Sequence, residues 1–173
     1  MKAQGHVFKY GDNIDTDIII PARYLNTADS KELAAHCMEP IDAEFYKNAQ
    51  AGDIMVGGLN FGCGSSREHA ALVPLYLGVR AVITKSFARI HVANLINAGI
   101  MPLTFKNPAD YEKLHQDDVL RIENVYDGMD SGEMTLIDET TGDNIPLLCS
   151  FSERQKAILK AGGLLKYVGQ GNH

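Results

Sequence analysis

The sequence has no cysteine pair of the CxxC kind, and its three cysteines, Cys37, Cys63 and Cys149, are an odd number. That argues against a disulfide framework and against a self-contained zinc or iron–sulfur site. The six histidines form no HxH or HxxxH pair. No run approaches the roughly 18 apolar residues of a membrane span. The start, MKAQGHVFKYGDN, lacks the apolar core of a signal peptide, so a cytoplasmic protein without a membrane role is expected. A basic excess is missing too: 16 Lys and Arg stand against 22 Asp and Glu, a net charge of −6. That sign excludes nucleic-acid or anionic-membrane binding through a bulk field, so any anion site has to be local. There is no internal repeat, low-complexity tract or long linker. What remains is 173 residues, 45% of them hydrophobic, enough for one domain over 1–173.

Strand and helix patterns alternate in the middle of the chain. HVFKY starts a first strand. DIII, Asp17 to Ile20, reads as a second that Pro21 ends. The segment 24–39 is polar and reads as a mobile loop, with a helix capped by Ser30; another helix is expected over 43–48. DIMVG (53–57) is a buried strand, 66–77 a helix closed by Gly78, RAVIT (80–84) a strand, 87–98 a helix capped by Ser86 and closed by Gly99, and 100–105 a strand. This order predicts parallel α/β units. Asn107-Pro108 opens a short helix. A β-rich flank follows, with strands at 119–122, 134–137 and 145–148 and hairpin turns at DGMDSG and ETTGDN. Ser152 and Gln155 form a capping box for a last helix, closed by Gly162-Gly163.

The chemistry concentrates in GGLNFGCGSSREHAA, Gly57 to Ala71. Gly62 and Gly64 permit backbone conformations that other residues adopt only at a cost. Ser65 and Glu68 are spaced as a capping box, which would aim free N–H groups outward at a helix start and favour an anion. Arg67 then falls in the first helical turn, where its charge opposes the helix dipole. A bound carboxylate would reverse that penalty, and an arginine fork matches such a group. Two readings stay open from spacing alone, a small-anion site and a capped structural turn. The segment is not a Walker loop, a dinucleotide fingerprint or a nucleophile elbow, since the lysine, the third glycine and the GxSxG serine are each missing. Cys63 reads as a small residue packed in the turn.

In DNIDTDIIIPAR, Asp12 and Asp15 read as turn residues. A calcium loop lacks its glycine and glutamate. Asp17 and Arg23 stay open as a paired site acid and cation.

Three segments, GDNIDTDIIIPARYL, GDIMVGGLNFGCGSSREHAA and RAVITKSFARIHVANLINAGIMPL, make the chain resemble the 3-isopropylmalate dehydratase small subunits, the swivelling-domain branch of the aconitase family. The likeness spans nearly the whole chain and is most specific up to Phe105. It implies an α/β fold of the swivelling β/β/α type, with parallel strand–helix units in the middle and a β-rich flank. It implies a hydro-lyase that dehydrates and rehydrates a hydroxy-dicarboxylic acid in leucine biosynthesis. A [4Fe–4S] cluster would act as Lewis acid and be held by a large subunit, so this chain is active only in that hetero-oligomer. Residue by residue, Ser65 corresponds to the base, with Asp17 an acid beside it. Ser66, Arg67 and Arg23 correspond to carboxylate ligands. Asn26 and Thr27 line the pocket for the substrate's side group. Arg89 stands behind the turn as a brace, with Gly62 and Gly64 shaping it. His69 and His91 read as satisfied structural histidines, and Asn94 as a helix-face polar residue. Asn26 is neither apolar, as an isopropyl group would favour, nor an arginine, as an extra carboxylate would favour. Homoaconitate, citrate and 2,3-dimethylmalate therefore stand as alternative substrates. A module that binds small carboxylates without turnover is the alternative of another class.

Overall fold

The computed structural model describes residues 3–27 and 29–171. Three parallel pairings form its centre: β1 (Ala3–Lys9) beside β2 (Ile54–Gly57), β2 beside β3 (Ala81–Thr84), and β3 beside β4 (Met101–Phe105). The strand–helix–strand pattern predicts this arrangement. Three antiparallel strands follow: β5 (Val119–Glu123), β6 (Glu133–Asp138) and β7 (Asn144–Leu148). β7 pairs with β4 and β5 pairs with β1, so the sheet closes into a seven-stranded barrel in the order β1-β2-β3-β4-β7-β6-β5. Closure joins residues far apart in the chain, Ala3 opposite Ile122 and Thr104 opposite Leu148.

Period-two alternation divides the core. One hydrophobic cluster takes a face of every strand, including Val7, Ile54, Ile83, Leu103, Leu120, Leu136 and Leu147. The opposite faces of β1 to β3 present Phe8, Met55 and Val82 to a second cluster. That cluster is filled by the helices α1 (Thr16–Ile19), α2 (Ser30–Ala34), α3 (Phe45–Asn48) and α4 (His69–Tyr76). Phe45 meets Phe8 edge-on at 4.7 Å, a favoured aromatic geometry. α5 (Arg89–Ala98) leads into β4 and ends on Gly99, whose φ of 91° suits glycine at a helix end. α6 (Val125–Ser131) links β5 to β6, and α7 (Glu153–Ala161) and α8 (Leu164–Gly169) end the described chain. The capping box of Ser152 and Gln155 is formed on α7.

Several local readings are corrected. Residues 17–20 are not a strand: Asp15 caps a short helix by accepting from the Ile18 N–H at 2.9 Å. DGMDSG is not a hairpin turn but part of α6, where buried Val125 and Met129 lie four residues apart on one face. Asp29, not Ser30, caps α2. Ser86 does not cap α5; its hydroxyl accepts from the Asn60 N–H at 2.8 Å. Ser65 and Glu68 form no capping box, because α4 starts only at His69. Arg67 therefore lies ahead of the helix and does not oppose its dipole from within the first turn.

Candidate functional site

The carboxyl ends of β1, β2 and β3 open into three loops, the position where ligands bind in parallel α/β sheets. The loops are laced by backbone hydrogen bonds. The Gly62 N–H donates to Ile14 O at 2.7 Å, the Thr16 N–H to Cys63 O at 2.9 Å, and the Ala88 N–H to Phe61 O at 2.8 Å. Asp12 braces the second loop by accepting from the Leu59 N–H at 2.7 Å. Gly62 and Gly64 have φ of 84° and 89°, values that carry strain for any other residue. At Gly62 a side chain would also run into the ring of His91.

This lacing brings the acid of the first loop to the arginine of the second. Arg67 Nη1 lies 2.9 Å from Asp17 Oδ1 and 3.3 Å from Ile20 O. Asp17 also accepts from the Ala22 N–H at 2.9 Å. That hydrogen bond, then the Arg67 guanidinium, holds its carboxyl below the ordinary aspartate range. Asp17 thus pairs with Arg67 and not with Arg23. Ser65 is pinned through its backbone, its carbonyl accepting from Thr16 Oγ1 at 2.7 Å. The Ser65 and Ser66 side chains themselves are exposed.

Arg23 sits on the neighbouring arm, 3.8 Å from Glu39 and stacked over Tyr24 with its guanidinium 4.7 Å from the ring centre. Glu39 gathers that arm. It accepts from the Tyr24 hydroxyl at 2.8 Å and pairs with His36, whose ring stacks on Tyr24 at 3.6 Å. Asn26 is exposed and Thr27 half-buried, with Thr27 Oγ1 accepting from the Asp29 N–H. Ser65, Ser66, Arg67 and Asp17 are one group; Arg23, Asn26 and Thr27 stand beside it on a separately braced segment.

Arg89 makes no hydrogen bond to the glycine-rich turn; it opens onto a cavity between that turn and α5. The reading of His91 as a satisfied histidine is wrong: the ring is 2% exposed and neither nitrogen has a partner. Burial pushes its pKa down to about 4, so the ring is neutral at pH 7. Sequence reasoning also missed Thr16 and Glu39. Thr16 had a signal in its place one residue after a helix-capping aspartate; Glu39 had none, since its role depends on packing between segments.

Among the described residues no three His, Cys, Asp or Glu side chains are grouped to hold a metal ion. Cys37 is buried in a core cluster, Cys63 is in the glycine-rich turn and Cys149 follows β7, and these thiols are not grouped as a ligand set. No helix among the described residues is long and apolar enough to cross a membrane.

Residues 13–108 match the family model described as the aconitase C-terminal domain. The 3-isopropylmalate dehydratase small subunit of Brachyspira hyodysenteriae is 48% identical over 168 residues, covering 97% of each chain. The 2,3-dimethylmalate dehydratase small subunit of Eubacterium barkeri is also 48% identical over 168 residues, again 97% of each. The crystal structure of a 3-isopropylmalate dehydratase from Methanocaldococcus jannaschii superposes with a TM-score of 0.85 at 39% identity, covering 99% of this chain and 95% of that one.

Proposed function

From the premise that this chain belongs to the aconitase family as a small subunit of the 3-isopropylmalate dehydratase kind, we propose that it interconverts 2- and 3-isopropylmalate in leucine biosynthesis, together with a large subunit. Of everything in the chain, one observation carries the division of labour. The Ser65–Ser66–Arg67 turn, at the mouth of the parallel strands, is exposed and backed by the Arg67–Asp17 pair. A serine in water does not act as a base, because its alkoxide is far too costly; it needs a dry, positively polarised setting. The partner surface closing over the turn supplies the dryness, and Arg67 supplies the charge.

On this reading Ser65 takes the proton from the carbon next to a substrate carboxylate. The C–H electron pair forms the new double bond as the neighbouring C–O bond breaks; the hydroxide that leaves takes up the proton held by Ser65 to become water, and an unsaturated acid remains. Re-addition of water in the opposite sense completes the isomerisation. Ser66 and Arg67 hold one carboxylate, Arg23 reaches in from its arm, and Asp17 fixes Arg67. Asn26 and Thr27, within the specificity arm 24–39, face the group that distinguishes one acid from another. The chain works as one domain of the swivelling β/β/α type, in the cytoplasm, without nucleic acid or membrane. The [4Fe–4S] cluster of the family resides on the large subunit.

A second substrate reading has a specific basis: the relatives named for 3-isopropylmalate and for 2,3-dimethylmalate share the same identity with this chain. The test is anaerobic reconstitution with the cluster-loaded large subunit, following absorbance of the unsaturated product. The panel is 3-isopropylmalate, 2,3-dimethylmalate, homocitrate and citrate. Turnover that requires both chains, strongest with 3-isopropylmalate, is expected. Ser65→Ala should abolish it while substrate still binds. Binding without turnover in the wild-type complex, with the cluster intact, would leave a carboxylate-binding module instead.

A further inference from the structure

Four polar side chains with no internal hydrogen-bond or ion-pair partner, Ser66, Arg89, His91 and Asn94, line one cavity of about 320 Å³. It lies between the glycine-rich turn and the start of α5, with Arg67 on its wall. Ser66 and Arg89 are open to solvent and Asn94 is half-buried, whereas His91 is buried, where polar groups normally find partners. His91 is the sharpest case. A neutral imidazole has one N–H to give and one nitrogen to fill, and leaving a buried group unmade costs about 1–3 kcal/mol.

The cavity also gathers two arginines, Arg67 and Arg89, in a chain of net charge −6. No aspartate or glutamate is among its lining residues. Arg89 has no acidic partner, and Arg67 shares one nitrogen with Asp17 while a guanidinium carries five N–H donors. α5 is ten residues long and its N-cap, Ala88, makes no side-chain hydrogen bond. The first N–H groups of that helix are therefore uncapped by any side chain where its dipole is positive.

Resting on the hydro-lyase reading above, we propose that this cavity receives a carboxylate of the hydroxy-acid substrate, with Arg89 and the uncapped start of α5 as its ligands. Ser66 and Asn94 bound the carboxylate on either side, and His91 offers an uncharged N–H from the floor. Arg89 is then a substrate ligand in its own right, not a brace for the turn. The reacting carbon is left outside, towards Ser65.

Two measurements test this. In the reconstituted two-chain enzyme, Arg89→Gln should raise KM for 3-isopropylmalate at least tenfold, by more than kcat falls, and Arg89→Lys should recover part of the loss. In the isolated chain, the ring-nitrogen NMR signals of His91 should move on titration with 3-isopropylmalate, and this response should be lost in Arg89→Gln. A KM within twofold of wild type in a folded Arg89→Gln enzyme overturns the proposal. So does a His91 signal that moves with inorganic phosphate and not with the hydroxy-acid. If the wild-type complex turns nothing over but His91 responds to 3-isopropylmalate through Arg89, the cavity stands and the enzymatic reading falls.

Discussion

Gly62→Ala is the most informative single change near the site, because its cost splits into two parts that can be measured separately. The φ of 84° at Gly62 is one part. Left-handed backbone costs a residue with a Cβ about 1–2 kcal/mol. The second part is the overlap of the new methyl with Cβ, Cγ and Cδ2 of His91. His91 has little room to yield, being buried and packed 5.7 Å from the Phe61 ring. Overpacking of this kind costs about 1–3 kcal/mol. Gly62→Ala should therefore destabilise the chain by about 2–5 kcal/mol, a large share of the roughly 5–15 kcal/mol a domain possesses. In a His91→Gly background, which removes Cβ as well as the ring, only the backbone part remains, so the same change should cost about 1–2 kcal/mol. The coupling is about 1–3 kcal/mol, well within reach of a double-mutant cycle. The chain has no tryptophan, so far-UV circular dichroism is the probe for urea unfolding. With m of about 2 kcal/mol per molar, the midpoint should fall by about 1–2.5 M. Equal costs in the two backgrounds would refute the steric contact, and a cost below about 0.5 kcal/mol would refute both parts.

The remaining expectations concern pH and the ion pair. The folded state holds the His91 pKa near 4, against 6.5 for an ordinary histidine. Between those values the unfolded chain binds a proton that the folded chain does not, so stability falls as pH drops from about 7 to 4. The loss is on the order of 3 kcal/mol from this residue. Urea midpoints of wild type against His91→Ala across that range should converge at low pH, and a constant gap would refute the assignment. Asp17→Asn removes the charge-assisted hydrogen bond that anchors Arg67. A loss of kcat/KM of about tenfold or more is expected in the two-chain enzyme, and an unchanged value would mean that Arg67 is placed without it.

The middle of the fold was legible because buried parallel strands and their helices leave separate marks: short apolar runs for 54–57 and 81–84, and helix-ending glycines at 78 and 99. Asp17 to Ile20 was misread because a run of three isoleucines carries no periodicity, and the deciding signal was the Asp15 cap. DGMDSG was misread because turn-forming residues outweighed the i, i+4 pair of Val125 and Met129. Barrel closure was beyond reach, since pairing Ala3 with Ile122 depends on no local pattern. The turn was found by its composition and spacing. Its geometry was not: where α4 starts, which acid Arg67 takes and what lies beneath Gly62 are settled by contacts between loops.

The closed barrel has a consequence for synthesis. β1 carries the loop that holds Asp17, yet its second neighbour, β5, emerges over a hundred residues later, and β4 waits for β7. Until about residue 148 has left the ribosome, the nascent sheet has two raw edges, each a row of unpaired N–H and C=O groups open to another chain. The half of the molecule bearing the chemistry is made first and sealed last. A chain stalled or clipped before β7 would expose its most adhesive surfaces just behind its reactive loops.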